Sequence, residues 1–186
     1  YSITHTTEYI AMDDEIIKAI RSKKKSSMRL SINAVKNKEA DACVSAGNTG
    51  ALMALSKIIL KMIPGIDRPA ICGSLPTKTG QCHILDLGAN VECDANHLYQ
   101  FSILGSALVQ SLEINTRPVI GLLNVGSEEF KGNDTIKNAG QLMQESKLNY
   151  AGFVEGDEIF NGNFDVIVSD GFAGNIALKS IEGVAK

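Results

Sequence analysis

The chain has no run of about 20 mainly apolar residues, the length that a membrane-spanning helix needs. Its longest apolar stretch, Ala51 to Ile63, is interrupted by Lys57 and Lys61. Nor is there an excess of either charge: 18 Lys+Arg against 21 Asp+Glu give a formal net charge of −3, which offers no basic field to gather phosphodiester backbones. No nucleic acid partner is expected. Tyr1 to Glu15 is mixed and polar, without the charged-then-apolar pattern of a secretory leader, so a cytoplasmic protein is expected. Cys43, Cys72, Cys82 and Cys93 lack the paired short spacing of zinc and redox sites. They read as reduced core thiols, and neither a metal nor a cofactor is expected.

Several catalytic signatures are missing too. No two glycines are separated by a single residue, which rules out the G-x-G-x-x-G dinucleotide fingerprint. There is no G-x-x-x-x-G-K-[ST] phosphate loop and no G-x-S-x-G nucleophile elbow. His5, His83 and His97 follow no triad or metal spacing, and His83 reads as a buried strand residue. A chain without a strong nucleophile of its own suits a reaction in which one substrate attacks another, as inorganic phosphate can attack an activated acyl carbonyl. The protein then supplies an anion clamp and orientation.

What is present is an alternation of short Val/Ile/Leu-rich runs with longer segments of three- and four-residue apolar spacing. That pattern predicts an α/β fold, a mainly parallel sheet with helices on both faces, in one domain over 1–186. The predicted strands are Ala40 to Ser45, Pro69 to Ser74, Cys82 to Leu87, Pro118 to Asn124, Tyr150 to Glu155 and Asp165 to Ser169. Helices are expected from a cap at Asp13 and Asp14 to Ser22, from Ser27 to Asn37, and from Gly50 to Met62. Three more are expected along the stripe Leu98, Phe101, Leu104, Leu108 and Leu112, from a cap at Asp134 to Ser146, and from about Gly174.

Four of the strand ends repeat one feature: an apolar strand runs straight into glycine and asparagine. The turns are SAGNTG (Ser45 to Gly50), DLGANV (Asp86 to Val91), NVGSEEFKGN (Asn124 to Asn133) and SDGFAGN (Ser169 to Asn175). In a parallel sheet such turns gather at one edge, where ligands bind. Glycine lets the backbone approach closely, and a helix that starts at once offers free N–H groups to an anion.

The same turns carry a family resemblance. MDDEIIKAIRSKKKSSM (Met12 to Met28), ADACVSAGNTGALMA (Ala40 to Ala54), GIDRPAI (Gly65 to Ile71), LDLGANVEC (Leu85 to Cys93), LLNVGSEEFKGN (Leu122 to Asn133) and VIVSDGFAGNIALKSIEG (Val166 to Gly183) resemble the PlsX-type phosphate acyltransferases. The resemblance implies a fold similar to isocitrate and isopropylmalate dehydrogenases and to phosphotransacetylases. It implies transfer of a fatty acyl group from acyl-acyl carrier protein to inorganic phosphate, for phospholipid synthesis. It further implies a homodimer, possible peripheral association with the membrane, and a chain that is the central part of a longer one. A short-chain phosphotransacetylase using coenzyme A, and a noncatalytic carrier- or phosphate-binding module, are the alternatives.

Lys131 is the first candidate catalytic residue, an ammonium able to hold phosphate as a point charge, with Asn124 and Asp170 beside it in role. Ser45, Gly47, Asn48, Thr49 and Gly50 form a candidate anion cradle. Asp86, Gly88, Asn90, Gly126, Glu128, Gly132, Gly171, Asn175 and Lys179 complete the candidate substrate site. Asp86 and Asp170 have a competing role as turn caps, because Asp readily bonds its own local backbone. Glu128 and Glu129 resemble the family's acidic pair, with Ser127 as an extra residue before them. Arg68 and the basic stretch Lys23 to Arg29 are candidate contacts for an acidic carrier protein or a dimer partner.

Overall fold

A computed structural model describes residues 1–185. The chain falls into two compact units, Tyr1–Pro64 and Gly65–Lys186.

The first unit is helical among its described residues: α1 (Ile16–Ser22), α2 (Ser27–Lys36) and α3 (Thr49–Leu60). Ile10, Ala19, Met28, Ile32, Ala51, Leu55 and Ile59 bury one face of each helix into a shared core. Asn48 caps α3, its Oδ1 accepting from the Ala51 amide at 3.0 Å. Asp14 does not cap α1. Its carboxylate accepts from the Ala11 amide and from Lys23 Nζ, and Glu15 stands at the N-cap. The segment 40–45, expected as a strand, forms none: this unit offers it no partner strand, and Val44 is 95% exposed. A strand needs a neighbour to satisfy its N–H and C=O groups, and apolar composition alone does not provide one.

The second unit is an α/β sheet. Its strands are β1 (Cys72–Thr77), β2 (Gly80–Leu85), β3 (Ile120–Leu123), β4 (Tyr150–Val154) and β5 (Val166–Val168), in the order β1-β2-β5-β3-β4. The β2–β5, β5–β3 and β3–β4 pairs are parallel. The β1–β2 pair is an antiparallel hairpin through Lys78 and Thr79, so the first strand lies three residues later than expected and runs the other way. Two strands joined by so short a link can only turn back on each other; a parallel pair requires a crossover. The mainly parallel α/β fold stands.

Side-chain alternation decides the faces. Leu85, Val166 and Val168 point to one core with Leu98, Phe101 and Val109 of α4 (Ala95–Ser111) and Ile136, Ala139 and Met143 of α5 (Asp134–Gln144). Ile84 and Ile167, one residue out of step, point to the other core, beside Leu178 and Ile181 of α6 (Gly171–Val184). Burial of each such side chain contributes roughly 1.5–3 kcal/mol. Caps fix the starts of these helices. Asp94 and His97 form a reciprocal capping box on α4, and Asn133, rather than Asp134, caps α5. Asp170 caps α6, which therefore begins three residues before the expected Gly174.

Candidate functional site

β2, β5 and β3 are neighbours running the same way, so the turns that follow them emerge at one edge of the second unit's sheet. With strands about 4.8 Å apart, the first and third turns start roughly 10 Å from one another.

The turn after β2 is built around Asp86, which is 0% exposed. Its Oδ1 accepts from the amides of Ile71 (2.9 Å), Gly88 (3.2 Å) and Ala89 (3.0 Å), and its Oδ2 from the Asn90 amide (2.6 Å) and Asn90 Nδ2 (2.8 Å). A carboxylate so occupied organises the loop and is not presented to a ligand. Asn90 is likewise spent, its Nδ2 also donating to the Pro69 carbonyl at 2.8 Å.

The turn after β5 is welded to this one. The Gly171 amide donates to the Asn90 carbonyl at 2.8 Å, and Ser169 Oγ to the Asp86 carbonyl at 3.2 Å. A Cβ on Gly171 would lie 2.6 Å from that Asn90 oxygen, so glycine is required there. Asp170 Oδ1 accepts from the Ala173 amide at 2.7 Å, the capping role. The weld brings the exposed Asn175 side chain against Gly88, whose Cβ position lies 3.5 Å from Asn175 Oδ1. Lys179, one helical turn on, pairs with Glu182 at 2.7 Å.

The turn after β3 closes on itself. Asn124 Nδ2 donates to the carbonyls of Gly126 (3.0 Å) and Lys131 (3.2 Å), and Gly132, at φ 83°, passes so close to Asn124 Oδ1 that no side chain fits. Asn124 thus shapes the loop that carries Lys131. The stem of Lys131 crosses Gly126, and its ammonium sits 5.6 Å from the Phe130 ring centroid. Among the described residues it makes no ion pair. Glu128 is exposed, with Oε2 near Gly126.

Ser45, Gly47, Asn48, Thr49 and Gly50 belong to the first unit and follow no strand. Ser45 Oγ accepts from the Gly47 amide at 3.2 Å, and Asn48 Nδ2 donates to the Met12 carbonyl at 3.0 Å. A Cβ on Gly50 would lie 2.6 Å from Ile16, so this glycine serves the packing of α3 on α1. In the basic stretch, Lys23 is taken by Asp14 and Arg29 donates to the Ile20 carbonyl, which leaves Lys24 and Lys25 exposed. Arg68 donates to the Glu92 carbonyl at 3.1 Å.

Sequence reasoning missed Ser169 and Gly174, the residues that join the two turns. A readable signal was present: two glycines three apart in the first turn of a helix, where glycine costs stability and is kept for close approach. His83 is buried in β2, as expected, and His97 serves the α4 cap. The cysteines are free, and no group of metal-ligating side chains occurs among the described residues.

Burial pushes the Cys82 thiol up to about 12, with the Asp165 charge adding to it, and the Cys93 thiol up to about 11. A thiol pKa raised above its unfolded value near 9.0 leaves stability intact below that pH and removes it as pH rises toward the folded value. The urea midpoint is therefore expected to fall between about pH 9 and 11. At pH 8 a thiol reagent is expected to spare Cys82 and Cys93 until urea is added; full labelling of the native protein contradicts this burial.

Comparison with known proteins agrees with the motifs. The family described as "Fatty acid synthesis protein" matches residues 1–186. A phosphate acyltransferase from Methylococcus capsulatus is 56% identical over 184 residues, covering 99% of this chain and 54% of its own length. One from Nitrosococcus oceani is 55% identical over 185 residues, covering 100% of this chain and 54% of its own. The chain thus spans about half the length of these relatives. The EutD phosphotransacetylase from Staphylococcus aureus superposes with a TM-score of 0.68 at 20% identity, over 92% of this chain and 63% of that one. A phosphotransacetylase from Streptococcus pyogenes does so with 0.69 at 16% identity, over 94% and 62%. At such identities these two establish the fold.

Proposed function

Since the chain belongs to the fatty acid synthesis protein family, with phosphate acyltransferases as its relatives, we propose that it transfers an acyl group from acyl-acyl carrier protein to inorganic phosphate. The observation that carries this reading is the ammonium of Lys131, without an ion-pair partner among the described residues, on a glycine turn stapled by Asn124 at the carboxyl edge of a parallel sheet. A phosphate held there attacks the thioester carbonyl. The new bond joins phosphate oxygen to the acyl carbon, the carbon–sulfur bond breaks, and the thiol leaves with the proton that phosphate gives up. Lys131 screens the charge of the phosphate and of the oxyanion that forms. Gly88, Gly171 and Asn175 line the neighbouring stretch of the same edge and orient the acyl phosphate.

A homodimer, a cytoplasmic location and contact with the membrane surface follow from the family resemblance as parts of the same proposal. No helix among the described residues is long and apolar enough to cross a membrane.

The test is release of free carrier thiol on mixing protein, phosphate and acyl-acyl carrier protein; release that does not depend on phosphate sinks the reading. A marked preference for acetyl-coenzyme A over a long-chain carrier donor would replace it with the short-chain reaction. Lys131→Ala is expected to lower turnover by about 10²-fold or more, as loss of a preorganised charge does. Because Lys131 is exposed, its unfolding midpoint should not move. Undiminished turnover removes Lys131 from the site.

A further inference from the structure

A hollow of about 590 Å³ lies along β4, away from the welded turns. Ser127 and Glu129 of the Lys131 turn line it, with Lys137, Gln141 and Gln144 on α5 and Tyr150 to Phe153 on the strand. Three observations say what it would hold. β4 is the edge of its sheet and pairs on one side only, with β3, so its other side presents main-chain N–H and C=O groups. Gly152, at φ 108°, has nothing within 4 Å of its Cβ position, which leaves the backbone open to close approach. Tyr150 Oη, packed against Gly140, is buried without any hydrogen-bond partner. An edge strand is a template for another extended, amide-bearing chain, and amide side chains on the facing helix extend that preference. The five residues of β4 span about 16 Å, long enough for a linear arm rather than a compact ligand.

From this we propose that the hollow takes the pantetheine arm of the thioester donor, laid along β4 with its sulfur end toward Ser127 and Glu129. The inference rests on the acyl-transfer reading, because that reaction needs a thioester delivered beside Lys131. The arm's two amides pair with the free side of β4 and with Gln141 and Gln144, while Lys137 meets its phosphate or a nearby carrier carboxylate. Coenzyme A and holo-acyl carrier protein present the same arm.

The experiment titrates the 186-residue chain with 4′-phosphopantetheine, coenzyme A, holo-acyl carrier protein and the apo carrier, which lacks the arm. Backbone amide shifts and thermal midpoint are followed. Binding of the three arm-bearing probes, with shifts at Gly152 and Gln141, is expected. Holo carrier binding well above that of the two small probes names the carrier as source; equal binding names the arm alone, and both support the site. Apo carrier binding as tightly as holo overturns it. Gln144→Trp, which fills the hollow from an exposed helix position, is expected to weaken phosphopantetheine about tenfold or more, in the range of a blocked pocket contact. Tyr150→Phe is expected to raise the midpoint of the free protein, since it removes an unpaired buried hydroxyl, and to weaken the probe about fivefold, one hydrogen bond's worth. Where turnover is measured, both variants raise the donor KM and leave the phosphate KM unchanged. Unaltered probe binding and donor KM in both variants discard the hollow while acyl transfer stands. Arm binding without acyl phosphate formation keeps the hollow and discards the transfer.

Discussion

Gly174→Ala is expected to lower the stability of the sheet-bearing unit by about 3 kcal/mol or more, the upper range for forced overpacking. A Cβ at this position would overlap the Asp86 carbonyl oxygen and stand 2.7 Å from Ser169 Oγ. The first of these is main chain, held by the Asp86 amide on the Ser169 carbonyl at 2.9 Å, so no rotamer change relieves the overlap. α6 must lift, and with it Leu178 and Ile181 leave the core they share with Ile84 and Ile167. Gly183→Ala supplies the control within the same helix. Nothing lies within 4 Å of its Cβ position, and the gain in helix propensity should add up to about 1 kcal/mol. Urea unfolding followed by circular dichroism reads both. A Gly174→Ala protein within about 0.5 kcal/mol of the parent contradicts the weld, since only exposed substitutions are that mild.

The same contact shows which features were open to reading in the sequence. Helices α2, α3, α4 and α5 were legible because three- and four-residue apolar spacing reports burial directly, and the cores are built from those residues. The parallel strands were legible because runs such as Val166 to Val168 are apolar at every position, as strands covered on both faces are. The hairpin was not legible. Cys72 to Thr77 carries Gly73 and Pro76, and only its pairing with β2 makes it a strand. Segment 40–45 erred the other way: its composition suits a strand, but pairing is a property of the neighbours.

For the site, sequence marked the right turns and misjudged what their polar residues do. Asp86, Asn90, Asn124 and Asp170 look like ligand-facing groups, yet each spends its side chain on backbone amides or carbonyls of its own loop. Short polar side chains prefer such local bonds, and a string of residue types does not reveal which carbonyls come within reach. Exposed groups with one partner or none are what a ligand can use, and these are Lys131, Asn175 and the glycine backbone around them.

That division of labour predicts how Asp86 should fail. Asp86→Ala leaves the amides of Ile71, Gly88, Ala89 and Asn90 without their acceptor in a site closed to solvent. Orphaned buried donors cost about 1–3 kcal/mol each, part of which is offset because a buried carboxylate no longer has to be desolvated. The net loss is expected to be about 3–5 kcal/mol, as for a buried charge network broken on one side. Asp86→Asn keeps the shape but turns one oxygen into a donor facing donors, so it should fall between alanine and the parent. If Asp86 touched substrate, the asparagine variant would lose kcat at unchanged stability. A positioning role requires the two to fall together: loosening the Asp86–Asn90 loop frees Gly88 from Asn175, which raises the phosphate KM in step with the drop in urea midpoint. An asparagine variant that is stable but catalytically dead would move Asp86 from the frame of the site into its chemistry.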